Sequence, residues 1–290
     1  MLIATILMIL CTLLGQAEGV LIKKYNEKHS AGGFVFISLV SFFGLIVVVV
    51  KDLISGGGIV FVPGMFGYGI ASGLFYAAAS ILTFVALGCG PYALSKLILG
   101  YSLVFSIGYG LFVLHEPANV FTYIALGLIL VSVFLSRPPK KDDKKVRMKW
   151  IVCVSLSVIG ARMFAILKKA QQLDFDGIYD NEFMILTYSV SFVLLMGIGI
   201  IMEKKRTGEI FSRCLPYTFV AGLSNALNNL LGFVVLTLLP ISISSPVGSA
   251  VGKIVNFIVA ILVFREKYLP RQLVALLLGL IAAVILNLKL

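Results

Sequence analysis

Apolar residues fill this chain in stretches of about twenty, separated by short polar punctuation from one end to the other. A helix of roughly 20 residues matches the thickness of a bilayer's hydrocarbon core, so each stretch predicts a membrane-spanning helix. Ten such spans are read, at about 2–22, 31–50, 65–88, 91–113, 118–136, 149–167, 181–202, 214–239, 241–264 and 270–288. Gly88-Cys89-Gly90-Pro91 and Leu239-Pro240 punctuate neighbouring spans. The longest hydrophilic link, 137–149 (RPPKKDDKKVRMK), divides the chain into two five-span halves, 1–136 and 150–290.

The halves repeat one another. Gly15 to Lys24 (GQAEGVLIKK) aligns with Gly160 to Lys169 (GARMFAILKK), sharing a glycine, aliphatic positions and a Lys-Lys exit. Leu114-His115-Glu116 returns as Phe264-Arg265-Glu266, and Leu126-Gly127-Leu128-Ile129 as Leu278-Gly279-Leu280-Ile281. Three matches in one order predict a duplication. An odd number of spans per half makes the second half enter the membrane from the opposite side, as in inverted-repeat transporters. The expected fold is therefore an all-α integral membrane protein, ten transmembrane helices arranged as two inverted five-helix repeats.

Composition agrees: 60% of the residues are hydrophobic and 13% charged, with mean hydropathy +1.06, whereas a soluble domain carries roughly 25% charge. The net charge of +11 is gathered in short links, which argues for topology and against nucleic-acid binding. Links after odd-numbered spans hold seventeen Lys and Arg; the other side has only Lys51, Lys168, Lys169 and Lys289. By the positive-inside rule the odd links are cytoplasmic and both termini outside. The first seventeen residues lack the basic start of a signal peptide and are read as a span. Scattered Cys11, Cys89, Cys153 and Cys214, with only His29 and His115, predict neither a zinc site nor a disulfide framework. No cofactor is expected. No convergent set of catalytic groups appears at a membrane interface, so an enzyme is not expected either.

Polar residues inside apolar spans are costly and mark function. Lys253 lies near the middle of 241–266, on a stripe with Ser245, Ser249, Gly252 and Asn256. It would bind a substrate carboxylate or phosphate, or satisfy carbonyls in a wet gap. Ser95, Ser102 and Ser106 match Ser245, Gly252 and Asn256 in the other half. Asn225, Asn228 and Asn229 follow i, i+3, i+4 spacing, and Tyr76, Ser80 and Thr83 follow i, i+4, i+7. Small and polar stripes serve either close packing or a cavity, and three asparagines within five residues favour a cavity. Glu18 sits late in the first span and Arg162 at the corresponding part of the sixth. They would form a permanent ion pair locking the halves, or Glu18 would alternate between proton, Arg162 and substrate.

Taken over its whole length, the chain resembles the drug/metabolite transporter superfamily in its ten-span EamA-like form. That family has a penultimate span of the pattern small-Pro-Val-Phe in each half, then eleven residues to a glutamate. Here Ser102-Leu103-Val104-Phe105 leads to Glu116, and Gly252-Lys253-Ile254-Val255 to Glu266, with Leu103 and Lys253 standing where the family has proline. Sugar-phosphate translocators of the superfamily resemble the chain at Lys253, with a basic residue in that span. The first-span glutamate of small multidrug transporters is similar to Ala17-Glu18, displaced here by about two positions. The resemblance implies a secondary transporter, with export as a family-level leaning, and cytoplasmic termini, opposite to the charge count.

Together these readings predict a multi-pass protein of the cell membrane, monomer or homodimer. It moves a small polar or amphipathic metabolite by alternating access, with protons as a coupling ion through Glu18. Arg162 and Lys253 lean the substrate toward an anion. A lipid flippase and a non-transporting partner subunit are the rival readings.

Overall fold

The computed structural model describes residues 2–29, 32–56, 58–100, 120–135, 144–203, 207–238, 252, 254–265 and 270–287. All regular elements in it are α-helices: α1 (Leu2–Lys28), α2 (Gly33–Ile54), α3 (Pro63–Cys89), α4 (Tyr92–Gly100), α5 (Val120–Leu135), α6 (Lys144–Asp174), α7 (Asp180–Glu203), α8 (Thr207–Leu238), α9 (254–262) and α10 (Pro270–Asn287). Among the described residues, five stretches are long and apolar enough to cross a membrane: Gly33–Ile54, Pro63–Cys89, Met148–Asp174, Asp180–Met202 and Gly208–Val235. Much of the central stretch 241–266, Lys253 included, lies outside the described residues, as does Ser102.

Helix ends follow local chemistry. Proline opens α3 and α10, where its missing N–H would have had no partner. Between α6 and α7 the chain turns at Asp176 and Gly177, both at positive φ (52° and 70°). No glycine or proline stands between Gly160 and Gly177, so α6 continues through Lys168 and Lys169, which the hydropathy pattern places in a link after span six. The second part of the 137–149 link is likewise helical, since α6 starts at Lys144.

Contacts divide the chain into two compact units, each drawing on both sequence halves. One comprises Met1–Gln16, Cys89–Ser155 and Leu231–Leu290. In it the Trp150 indole lies over Gly90 and donates to Ser95 Oγ at 2.8 Å. The Tyr92 ring meets Phe264 at 4.8 Å, and its hydroxyl donates to Gln16 at 3.3 Å. Gly252 faces Thr12 and Gln16, and Ser132 donates to the Ala275 carbonyl to join α5 and α10.

The other unit, Ala17–Gly88 and Leu156–Leu230, is knit by small residues at helix crossings. A Cβ at Gly69 would fall 2.5 Å from Leu186, and one at Gly73 2.6 Å from Val190, so α3 and α7 approach closely there. Ser72 and Thr187 share a 2.5 Å hydrogen bond at the same crossing. Ser41 and Ser191 bond at 2.9 Å between α2 and α7. Thr83 and Ser157 bond at 2.5 Å between α3 and α6. Asn26 donates to the Phe84 carbonyl at 3.1 Å, while Tyr25, Phe36, Phe84 and Tyr217 pack ring to ring. The opposite faces are apolar and exposed: Phe66, Ile70 and Leu74 on α3; Leu215, Phe219, Leu223 and Leu227 on α8. An exposed apolar stripe at helical spacing is the surface expected against lipid.

Candidate functional site

Among the described residues, Asn225 is a polar hub of the second unit. Along α8, Cys214, Thr218, Ala221 and Asn225 recur every three or four residues and are all buried, so one helical stripe carries Asn225 inward. Its Oδ1 accepts from the hydroxyls of Tyr76 (2.9 Å) and Tyr188 (2.6 Å) and from Asn229 Nδ2 (3.1 Å). Its Nδ2 donates to Glu18 Oε2 at 2.7 Å. One amide thus ties α1, α3, α7 and α8 together. Asn229 lies one turn on and also donates to the Tyr188 hydroxyl at 3.2 Å and to the Asn225 carbonyl at 3.1 Å.

Packing holds the phenols in place. The Tyr76 and Tyr188 rings meet edge to face at 5.6 Å, and Phe164 of α6 closes on Tyr76 at 5.4 Å. Gly44 leaves room for the Tyr188 ring, since a Cβ there would stand 3.0 Å from Cζ. With Tyr76 and Asn225 each 6% exposed and Tyr188 fully buried, the polar atoms depend on one another for satisfaction. Glu18 is half-buried at the edge of the set.

Of the residues expected from sequence, Glu18, Tyr76, Asn225 and Asn229 converge here. Asn228 is half-buried on α8. Arg162 is half-buried on α6, with its Nε buried. Asn256 belongs to the other unit, is 8% exposed, and its Oδ1 has no hydrogen-bond partner among the described residues. Ser102 and Lys253 lie outside the described residues. Thr83, from the α3 stripe, serves the α6 contact through Ser157.

Two members escaped the sequence reading. Tyr188 carries the same signal as Tyr76, a hydroxyl in mid-span beside Thr187 and Ser191. Lys168 looked like an exit charge; it is 7% exposed and donates from Nζ to the Asn229 carbonyl at 3.0 Å. Chemically the network offers a carboxylate, two amides, two phenols and the Lys168 ammonium, so it can both give and take hydrogen bonds. The Glu18 carboxylate also disfavours an anion beside it.

No family model matches the chain. It is 24% identical over 236 residues, 78% of each chain, to a protein described as "Probable glucose uptake protein GlcU" of Priestia megaterium. It also matches a solved structure, described only as "Crystal structure of protein", at 13% identity and TM-score 0.59 over 96% of each chain, a likeness of fold alone. With the apolar helices, the similarity to this uptake protein points to a multi-pass membrane protein of the transporter class. The relative is named for uptake, a transport role.

Proposed function

We propose that the chain is a secondary transporter of a small, neutral, polyhydroxylated metabolite, working by alternating access between two inverted five-helix repeats. The observation that carries this reading is the Asn225 network, which gathers amides, phenols and one carboxylate in the buried middle of a helical unit. Such groups each pair with hydroxyls as donor or acceptor, and the surrounding tyrosine rings offer apolar faces to a sugar's C–H surface. The similarity to a protein named for glucose uptake supports the same class. This reading departs from the anionic leaning of Arg162 and Lys253 because the Glu18 carboxylate disfavours an anion at the network, where the Lys168 ammonium is already engaged on the Asn229 carbonyl. Glu18 is the proposed proton carrier: its partner Asn225 donates to the ionised carboxylate, and protonation removes that acceptor's charge and loosens the hub.

The test is uptake of radiolabelled D-glucose and of glucose 6-phosphate into vesicles holding the purified protein, with and without an imposed pH gradient. Saturable entry of glucose and exclusion of the phosphate are expected. Preference for the phosphate would restore the anionic reading, and absence of both fluxes would overturn the proposal.

A further inference from the structure

Four cysteines are scattered along the sequence, and the fold gathers two of them in the first unit. Cys89 is the last residue of α3; Cys153 lies on α6, five residues after Met148, where that apolar span begins. Both are half-buried, and neither is in a disulfide. The Trp150 ring brings the two places together. It lies against Gly90, the chain neighbour of Cys89, so closely that a Cβ there would collide with the indole. Its N–H is fixed on Ser95 Oγ at 2.8 Å. Cys153 follows Trp150 by three residues, one turn on and on the same side of the helix. The ionisable groups that face the Cys153 thiol are Cys89 and Lys149.

Two thiols at helix ends, each partly open to solvent, differ from a cysteine packed in a core, because a small reagent can reach them. A metal ion of the zinc class needs three or four ligands, and no group of three His, Cys, Asp or Glu stands together among the described residues. What a bare pair can do is exchange with a disulfide. On the charge count this end of the protein is cytoplasmic, since it joins the links after spans three and five; glutathione sets the thiol poise there.

We propose that Cys89 and Cys153 form a redox-modification site, where a small-molecule disulfide of the glutathione class converts the two thiols into a reversible intramolecular disulfide that fastens the end of α3 to α6. One cysteine thiolate attacks a sulfur of the small disulfide, whose S–S bond breaks, and one glutathione thiolate leaves. The second cysteine, deprotonated, attacks the protein sulfur of that mixed disulfide and expels the other glutathione. The protein's two thiols lose two electrons and two protons, and the small disulfide takes up both as two thiols. The site is independent of what the protein transports, and its test needs no substrate.

Purified wild-type protein, Cys89→Ser and Cys153→Ser are incubated in mixed micelles with oxidised glutathione, with reduced glutathione held at about 0.1 mM. Remaining thiols are then alkylated and the peptides mapped by mass spectrometry. A neighbouring thiol has an effective concentration of millimolar or more, so in the wild type the Cys89–Cys153 linked peptide should exceed the glutathione adducts on these residues by about tenfold. Excess dithiothreitol should return both to free thiols. With the resolving partner removed, at least one of the two serine variants should hold a glutathione adduct on the remaining cysteine. Wild-type protein that carries adducts without the link has its thiols out of reach of each other, and the site is overturned. It is equally overturned if both cysteines emerge only alkylated, or if they link to Cys11, to Cys214 or to a second molecule.

Discussion

Replacing Asn225 by leucine removes four hydrogen bonds while nearly preserving volume, and it tests whether this amide is the hub of its unit. The Tyr76 hydroxyl loses its described acceptor; Tyr188 keeps only the N–H of Asn229; Glu18 loses a donor to Oε2. Each buried polar group left unsatisfied costs about 1–3 kcal/mol, whereas hydrogen bonds inside membranes average nearer 0.6 kcal/mol because the unfolded helices find other partners. Taking the lower value for four bonds and the higher for the most buried hydroxyls gives a loss of about 2–5 kcal/mol. The assay is reversible unfolding in mixed micelles, run as a double-mutant cycle with Tyr188→Phe. Tyr188→Phe alone should cost about 1 kcal/mol, and the two changes should couple by about 1 kcal/mol, since each removes the bond the other needs. A loss below about 0.5 kcal/mol for Asn225→Leu, or strict additivity with Tyr188→Phe, would refute the reasoning.

Other consequences are equally open to measurement. Glu18→Gln keeps an oxygen for Asn225 Nδ2, so its melting temperature should stay close to wild type while uptake loses its response to a pH gradient; an unchanged response removes Glu18 from coupling. Gly73→Val drives side-chain atoms into Val190 and the Thr187 carbonyl, 2.6 and 3.0 Å from the Cβ position, and should destabilise by about 1–3 kcal/mol in the same unfolding assay. Topology follows from the charge count: with native cysteines replaced, Ile178→Cys should react with an impermeant thiol reagent on intact cells, and Ser212→Cys only after permeabilisation. The reverse pattern would place the termini in the cytoplasm, as the family resemblance implies.

Hydropathy is a local property, and it carried the helical membrane class, the positions of most helices and several polar stripes. The i, i+4 relation of Asn225 and Asn229 was visible because both lie on one helix. So was the anomaly of a glutamate in the first span. Their joint meaning was not, because each partner of Asn225 on another helix lies more than thirty residues away in the sequence, at Glu18, Tyr76 and Tyr188. Periodicity says which residues share a side of a helix but not how far the helix is rotated toward its neighbours.

That rotation separated residues the sequence had treated alike. It set Asn225 and Asn229 in the hydrogen-bonded network, left Asn228 beside it, and assigned Thr83 to the α6 crossing. Lys168 shows the same limit from the other direction. A Lys-Lys pair after an apolar run reads as an exit into water, and only the packing of α6 against α8 turned the first of the two inward onto a backbone carbonyl. The chain by itself determined which segments must leave water, since burial of apolar side chains is additive along the sequence. Which polar groups they carry with them, and onto whom those groups bond, was decided by tertiary packing, because an unpaired dipole in a low dielectric is satisfied only by a partner the fold brings within 3 Å or so.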